Sequence, residues 1–264
     1  MRENRKHTLP DWLFVLPGLL LAALLGLPLL ALFWRALGED FFTYAFSNTA
    51  LAALRLSLLT SLLSVAISIL VGTPLAYILA RWEFRGQTAL ELITDLPIIL
   101  PPSVAGLALL MAFGRQGIFG AGLAAAGIQI PFTTLAVILA QIFVSAPLFV
   151  RAARIGFADI DPSIEEAALV DGANRWQMFN QVMVPLAGRA LLGGAVLAWT
   201  RALGEFGATI LFAGNLEGVT QTMPLAIYLG FERNLDVAVV LSALLALVSL
   251  ALLLTMRKLD RQKE

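Results

Sequence analysis

Arg201 and Glu205 stand four residues apart in an otherwise apolar stretch, 190–213. In a helix this spacing places guanidinium and carboxylate on one face, one turn apart. Ionisable groups in a hydrocarbon environment cost about 2.5–3.5 kcal/mol each on insertion scales. The chemistry open to such a pair is ion handling, a transient electrostatic contact with a passing charge. A self-satisfied ion pair that locks helix packing uses the same residues equally well, and the two roles are compatible if the pair opens. Other chemistry lacks its side chains. The chain has no cysteine and one histidine, His7, in a charged N-terminal tail. A disulfide framework, thiolate metal sites and a cysteine nucleophile are thereby excluded. So are a histidine metal cage and a Ser-His-Asp triad within the apolar part. The expectation is no catalytic residue, no metal ligand and no cofactor bound by this chain. A membrane-embedded enzyme would need clustered carboxylates in the apolar stretches, which hold few titratable groups.

A second chemistry-bearing segment spans about 159–185. Asp161-Pro162-Ser163 reads as a helix start, with Ser163 as N-cap and Glu166 closing a capping box. Ile164, Ala167, Ala168 and Val170 supply the apolar part of a short helix, and Glu165 and Glu166 its charge. Asp171-Gly172 ends it, because glycine enters the left-handed region cheaply. A second helical stretch carries Trp176, Phe179 and Val182 and is expected to stop near Pro185.

The elements that must position these residues are membrane spans. The 264 residues are 59% hydrophobic and 14% charged, with zero formal net charge. An ordinary soluble domain is about 45–50% apolar and about 25% charged. Six apolar stretches run roughly 12–34, 50–80, 89–113, 132–150, 190–213 and 235–256. Helices are required because lipid offers no partner to an open backbone N–H or C=O. The first stretch is too long for a secretory signal and no small-residue cleavage site follows it. Thirteen of the 18 basic residues fall on one side of this topology: Arg2, Arg5, Lys6, Arg81, Arg85, Arg151, Arg154, Arg175, Arg189, Arg257, Lys258, Arg261 and Lys263. The positive-inside rule makes that side, and both termini, cytoplasmic. Leu100-Pro101-Pro102-Ser103 predicts a kink or break within 89–113, either packed in protein or lining a cavity. Small residues such as Gly204 and Ala208 allow close helix approach and place 190–213 centrally.

Glu166-Ala167-Ala168, three residues, Gly172, nine residues and Val182-Met183-Val184-Pro185 resembles the EAA loop of permease subunits in ATP-binding-cassette importers. Valines stand where that family has Ile and Leu. The resemblance implies an all-α integral membrane protein of the type I importer permease fold, with six transmembrane helices. The helix carrying Glu165, Glu166, Ala167 and Ala168 would be a coupling helix seated on an ATPase, with Asp171, Gly172 and Pro185 completing the coupling loop. No G-x-x-x-x-G-K-[ST] loop is present, and the only lysines are Lys6, Lys258 and Lys263. ATP and Mg would therefore be used by a separate ATPase subunit, in two copies. A second permease, another copy of this chain forming a homodimer or a close relative, an extracytoplasmic oxyanion-binding protein and membrane lipid complete the implied partners; no nucleic acid is expected. The implied location is a prokaryotic inner or plasma membrane.

Arg201 through Ile210, with Ala213-Gly214-Asn215 and Thr220 through Tyr228, resembles molybdate and tungstate permeases; sulfate permeases share Leu203-Gly204-Glu205-Phe206-Gly207. The resemblance covers about 48–256, the implied permease domain. Residues 1–47 form a tail, the first span and an external loop, and 257–264 a cytoplasmic tail. The implied cargo is molybdate or tungstate, with sulfate or thiosulfate as the alternative. Arg201, the hydroxyls of Ser103 and Thr209, and N–H groups freed near Pro101-Pro102 would give a dianion weak partners. Glu205 would repel it unless Arg201 neutralises the carboxylate. A passive anion channel or ion-coupled carrier is the reading from another class, and it has no use for a docking helix.

Overall fold

A computed structural model describes residues 12–38 and 40–261. Arg2, Arg5, Lys6, His7 and Lys263, invoked above, lie outside the described residues. Among the described residues all regular structure is helical. α1 (Trp12–Ala36), α2 (Phe41–Ala45) and α3 (Asn48–Arg81) lead into α4 (Gln87–Ile99) and α5 (Pro102–Phe113). α6 (Gly120–Ala125) precedes the long α7 (Thr134–Ala158). Then come α8 (Pro162–Val170), α9 (Arg175–Gln177), a π-helical stretch Met178–Met183 and α10 (Val184–Leu186). α11 (Gly188–Leu203), α12 (Gly207–Phe212), α13 (Met223–Arg233) and α14 (Leu235–Arg261) follow.

Three helices among the described residues are unbroken, long and apolar enough to cross a membrane: Val15–Ala36, Asn48–Arg81 and Thr134–Ala158. They occupy the first, second and fourth expected stretches. The third stretch is divided, with α4 ending at Ile99 and α5 starting at Pro102, at the two prolines. The fifth was expected as one run and is instead divided at Gly204–Phe206. α14 holds the sixth. α1 is uncovered along its apolar length and packs chiefly against α14.

The core is built where α3, α7 and α11 meet, around Tyr77, Phe149, Phe157, Met183 and Ala198. The inward face of α3 is polar. Ser57, Ser61, Ser64 and Ser68, three to four residues apart, are all buried, as is Thr60 beside them. In lipid, close packing and interhelical hydrogen bonds hold helices together, since no hydrophobic gain separates one apolar face from another. Ser64 Oγ donates to Ile138 O at 3.2 Å and to Gln141 Oε1 at 3.1 Å on α7. Trp199 Nε1 on α11 donates to Ser61 Oγ at 2.9 Å. The Met223 N–H at the start of α13 donates to Ser57 Oγ at 2.7 Å. Gly72 lets the two long helices touch: a Cβ there would lie 2.9 Å from the Phe149 ring.

Candidate functional site

The two broken stretches meet at their breaks. A Cβ on Gly207 would lie 2.5 Å from Pro102 Cβ, and one on Gly106 would lie 2.8 Å from Ala208 O. The start of α5 is thus pressed against the start of α12, behind which Ala105, Leu109, Val137, Ala140, Ala208 and Phe212 form a second apolar cluster. Proline supplies the first residue of α5 because the N–H it lacks would have no intrahelical partner there.

Glu205 explains why the fifth stretch divides. Its carboxylate accepts the Ala208 N–H at 2.7 Å, satisfying one of the open donors of α12, and the Arg201 guanidinium at 2.5 Å. One side chain therefore bridges the end of α11 and the start of α12. The i,i+4 pairing expected from the sequence is present, but across a helix end rather than along an unbroken helix. Glu205 is 1% exposed, whereas the Arg201 side chain is 34% exposed, so the pair presents its cation outward. Ser103, in the first turn of α5, is exposed. Thr209 is fully buried, and its hydroxyl has no hydrogen-bond partner among the described residues. Glu205, like Thr209, is buried in this conformation. Arg201 and Ser103 are the expected pathway residues that remain reachable.

The 161–186 segment folds as two short helices joined by a turn, with changes at two places. Asp161, not Ser163, is the N-cap of α8: its carboxylate accepts the Ser163 N–H at 2.9 Å. Pro162 fits the first helical position with its φ already set, which starts the helix two residues early. That hydrogen bond holds the exposed Asp161 carboxyl below its ordinary range. α8 ends in a Schellman motif, with Gly172 N–H on Leu169 O and Ala173 N–H on Ala168 O, and Gly172 at φ +88°. The true capping box belongs to Asn174 and Gln177, each side chain accepting the other's backbone N–H at 2.9 Å. The second helical stretch ends at Leu186, one residue past Pro185, near where it was expected to stop. Pro185 sits in the first turn of α10 after the π-helical stretch, a position that needs no N–H. The chain then bends by 72° into α11.

No residue of α8 is buried. Glu166, Ala167, Asp171, Gly172 and Pro185 are exposed, and Ile164, Leu169 and Val170 add exposed apolar surface. Ala168 packs against the main core. Glu165 points elsewhere: its Oε1 lies 2.7 Å from Arg81 Nε, with the two side chains 18% and 11% exposed. The approach is too oblique for a hydrogen bond, so charge holds the atoms together. Arg81 also donates to Ile160 O. The sequence reading used Arg81 only as a basic residue marking a span end. At the same end of the bundle Arg154 on α7 pairs with Glu91 on α4 at 3.0 Å. The serine seam of α3 was likewise missed; a repeat of hydroxyls every three to four residues within 57–68 is the signal that marks it.

Residues 72–262 match the family model described as binding-protein-dependent transport system inner membrane component. The chain is 42% identical over 245 residues to the molybdenum transport system permease protein ModB of Mycobacterium bovis (strain ATCC BAA-935 / AF2122/97), covering 91% of each chain. It is 37% identical over 217 residues to the protein of that name from Escherichia coli (strain K12), covering 80% of this chain and 95% of the relative. The sulfate transport system permease protein CysT of E. coli K12 is 36% identical over 210 residues, 79% of this chain and 76% of that one. Among solved structures, a bacterial ABC transporter involved in the import of the acidic polysaccharide alginate aligns with TM-score 0.77 over 96% of both chains, at 21% identity. That likeness concerns the fold alone. The chain is a multi-pass membrane protein with the fold of ABC transporter permeases, and the regular structure of its described residues is all helical.

Proposed function

The chain belongs to the family of binding-protein-dependent transport system inner membrane components, and from that premise we propose that it is the permease subunit of an ATP-driven molybdate importer. The observation that carries this reading is the 42% identity, over 91% of both chains, to a permease named for molybdenum transport. Tungstate has the same shape and charge and belongs to the same reading. Sulfate is the second reading, supported by the CysT relative at 36% identity.

The permease domain spans about 48–256, and six crossings are made by α1, α3, the α4–α5 pair, α7, the α11–α12 pair and α14. Basic residues at the α3, α7 and α8–α10 ends put those ends, and both termini, in the cytoplasm. There α8 would dock a separate ATPase, two copies of which use ATP and Mg beneath a permease homodimer. Glu166 and Asp171 offer charge to that partner, and Ile164, Leu169 and Val170 offer apolar surface. A binding protein on the other face would deliver the oxyanion. Within the membrane Arg201 supplies the attracting charge, and Ser103 with the open N–H groups of the α5 start supplies weak hydrogen bonds. A dianion needs partners of that kind, because tight binding would trap it. Glu205 keeps Arg201 in place and is itself shielded by it; opening of the pair frees the guanidinium for the anion. Thr209 joins the pathway only in a conformation where α12 has turned.

Combining Glu166→Arg with Gly172→Pro tests the docking. Proline fixes φ near −65° and cannot adopt the left-handed turn that glycine makes here. The doubly substituted chain is expected to insert and dimerise while binding-protein-stimulated ATPase activity falls by about tenfold or more, a loss of about 1.4 kcal/mol in coupling. Stimulation at the parental level would remove α8 from the coupling role.

A further inference from the structure

We infer that Arg81 and Glu165 form a strut that carries displacement of α8 into α3, which makes Glu165 a positioning residue and not a docking charge. The inference rests on the reading of α8 as the helix that meets the ATPase. Two neighbouring glutamates on α8 face different ways, as adjacent helix positions must. Glu166 is exposed, while Glu165 is turned onto the last residue of α3 at 2.7 Å. The same guanidinium donates to Ile160 O, in the turn that enters α8. One arginine thus grips both the approach to α8 and its first turn. The Tyr77 hydroxyl, one turn back along α3, interacts with the same carboxylate. Few other attachments compete, since α8 buries none of its own residues and rests mainly on the π-helical stretch.

What α8 pushes on matters for transmission. Helix α3 runs unbroken from Asn48 to Arg81 and is hydrogen-bonded through Ser64, Ser61 and Ser57 to α7, α11 and α13. A load applied at Arg81 therefore reaches, along one continuous helix that carries Pro74 within it, the helix that bears Arg201. An ion pair largely withdrawn from water suits this task, because removing one partner strands the other charge and breaking it is costly. Lysine could not replace Arg81, since it lacks the fork that spans two acceptors.

The test uses the assembled complex of permease, ATPase and binding protein in proteoliposomes, carrying Glu165→Gln, Arg81→Gln or the exchange Arg81→Glu with Glu165→Arg. The chain has no cysteine, so spin labels at Glu83→Cys and Val170→Cys report the distance between the α3 end and α8. Both single variants are expected to keep the ATPase bound and hydrolysing. Molybdate taken up per ATP should fall at least about fivefold, the lower end of coupling between sites, and the label distances should broaden. The exchange should recover both. Unchanged uptake per ATP with an unchanged distance distribution overturns the strut. Loss of the ATPase from Glu165→Gln but not from Arg81→Gln also overturns it, by assigning the carboxylate to docking. If the parental complex shows no ATP-dependent uptake, the importer reading fails, while the label distances still report on the strut.

Discussion

Gly207→Ala is expected to abolish uptake while leaving the chain inserted in the membrane. The added methyl would lie 2.5 Å from Pro102 Cβ, inside any tolerable carbon–carbon contact, and the proline ring cannot rotate away. Relief requires α5 and α12 to separate, which opens the junction of the two breaks and shifts Glu205, bonded to the first turn of α12. Overpacking of this kind costs about 1–3 kcal/mol. In a chain of this size that lowers the unfolding midpoint of the purified protein by about 2–10 °C. Transport should suffer more than stability, because the damage falls beside Arg201. Pro102→Gly in the same chain removes the opposing atom and should return part of the lost stability. Gly122→Ala, where an added Cβ meets nothing within 4 Å, should be neutral. Thermal unfolding in detergent and uptake in vesicles read both effects. A Gly207→Ala chain with parental stability and uptake would mean that the junction is looser than described.

Arg201→Ala should reduce uptake by about tenfold or more. An arginine and a unit negative charge about 4 Å apart attract by roughly 4 kcal/mol at an effective dielectric of about 20, so losing a third of that is already about tenfold. The single substitution also strands Glu205, a carboxylate 1% exposed, and this would disturb the fold whatever Arg201 does in transport. Arg201→Gln with Glu205→Gln separates the two contributions. It removes both charges, and the amide oxygen introduced in place of the Glu205 carboxylate can still accept the Ala208 N–H. Stability should return close to the parental value while uptake remains low. Recovery of uptake in the double variant would reduce the pair to a packing device.

Much of this architecture is legible in the chain because the bilayer imposes it. Apolar stretches must become helices, the Pro101-Pro102 pair removes two donors, and Gly172 takes a left-handed turn that other residues resist. The hidden features have physical reasons as well. Gly204-Glu205-Phe206 reads as the continuation of a helix, since an i,i+4 Arg–Glu pair is also what a straight helix would use. The Glu205 carboxylate on the Ala208 N–H and the tertiary contact of Gly207 with Pro102 together make it a break. Asp161 outcompetes Ser163 as a cap because Pro162 fixes where the helix can begin. The partnership of Arg81 with Glu165 joins residues remote in sequence, and no local pattern reports it. The burial of Thr209 is likewise a tertiary property that its hydroxyl and its apolar neighbours in sequence do not report.

The central claim is that this chain, with a separate ATPase and binding protein, moves molybdate across the membrane. The direct measurement is uptake of labelled molybdate into proteoliposomes containing the whole complex, with and without ATP, and with unlabelled molybdate, tungstate or sulfate in excess. The expected result is uptake that requires ATP and the binding protein and is suppressed by molybdate and tungstate but far less by sulfate. Uptake by the purified chain alone without ATP, or competition by sulfate equal to that by molybdate, would contradict it.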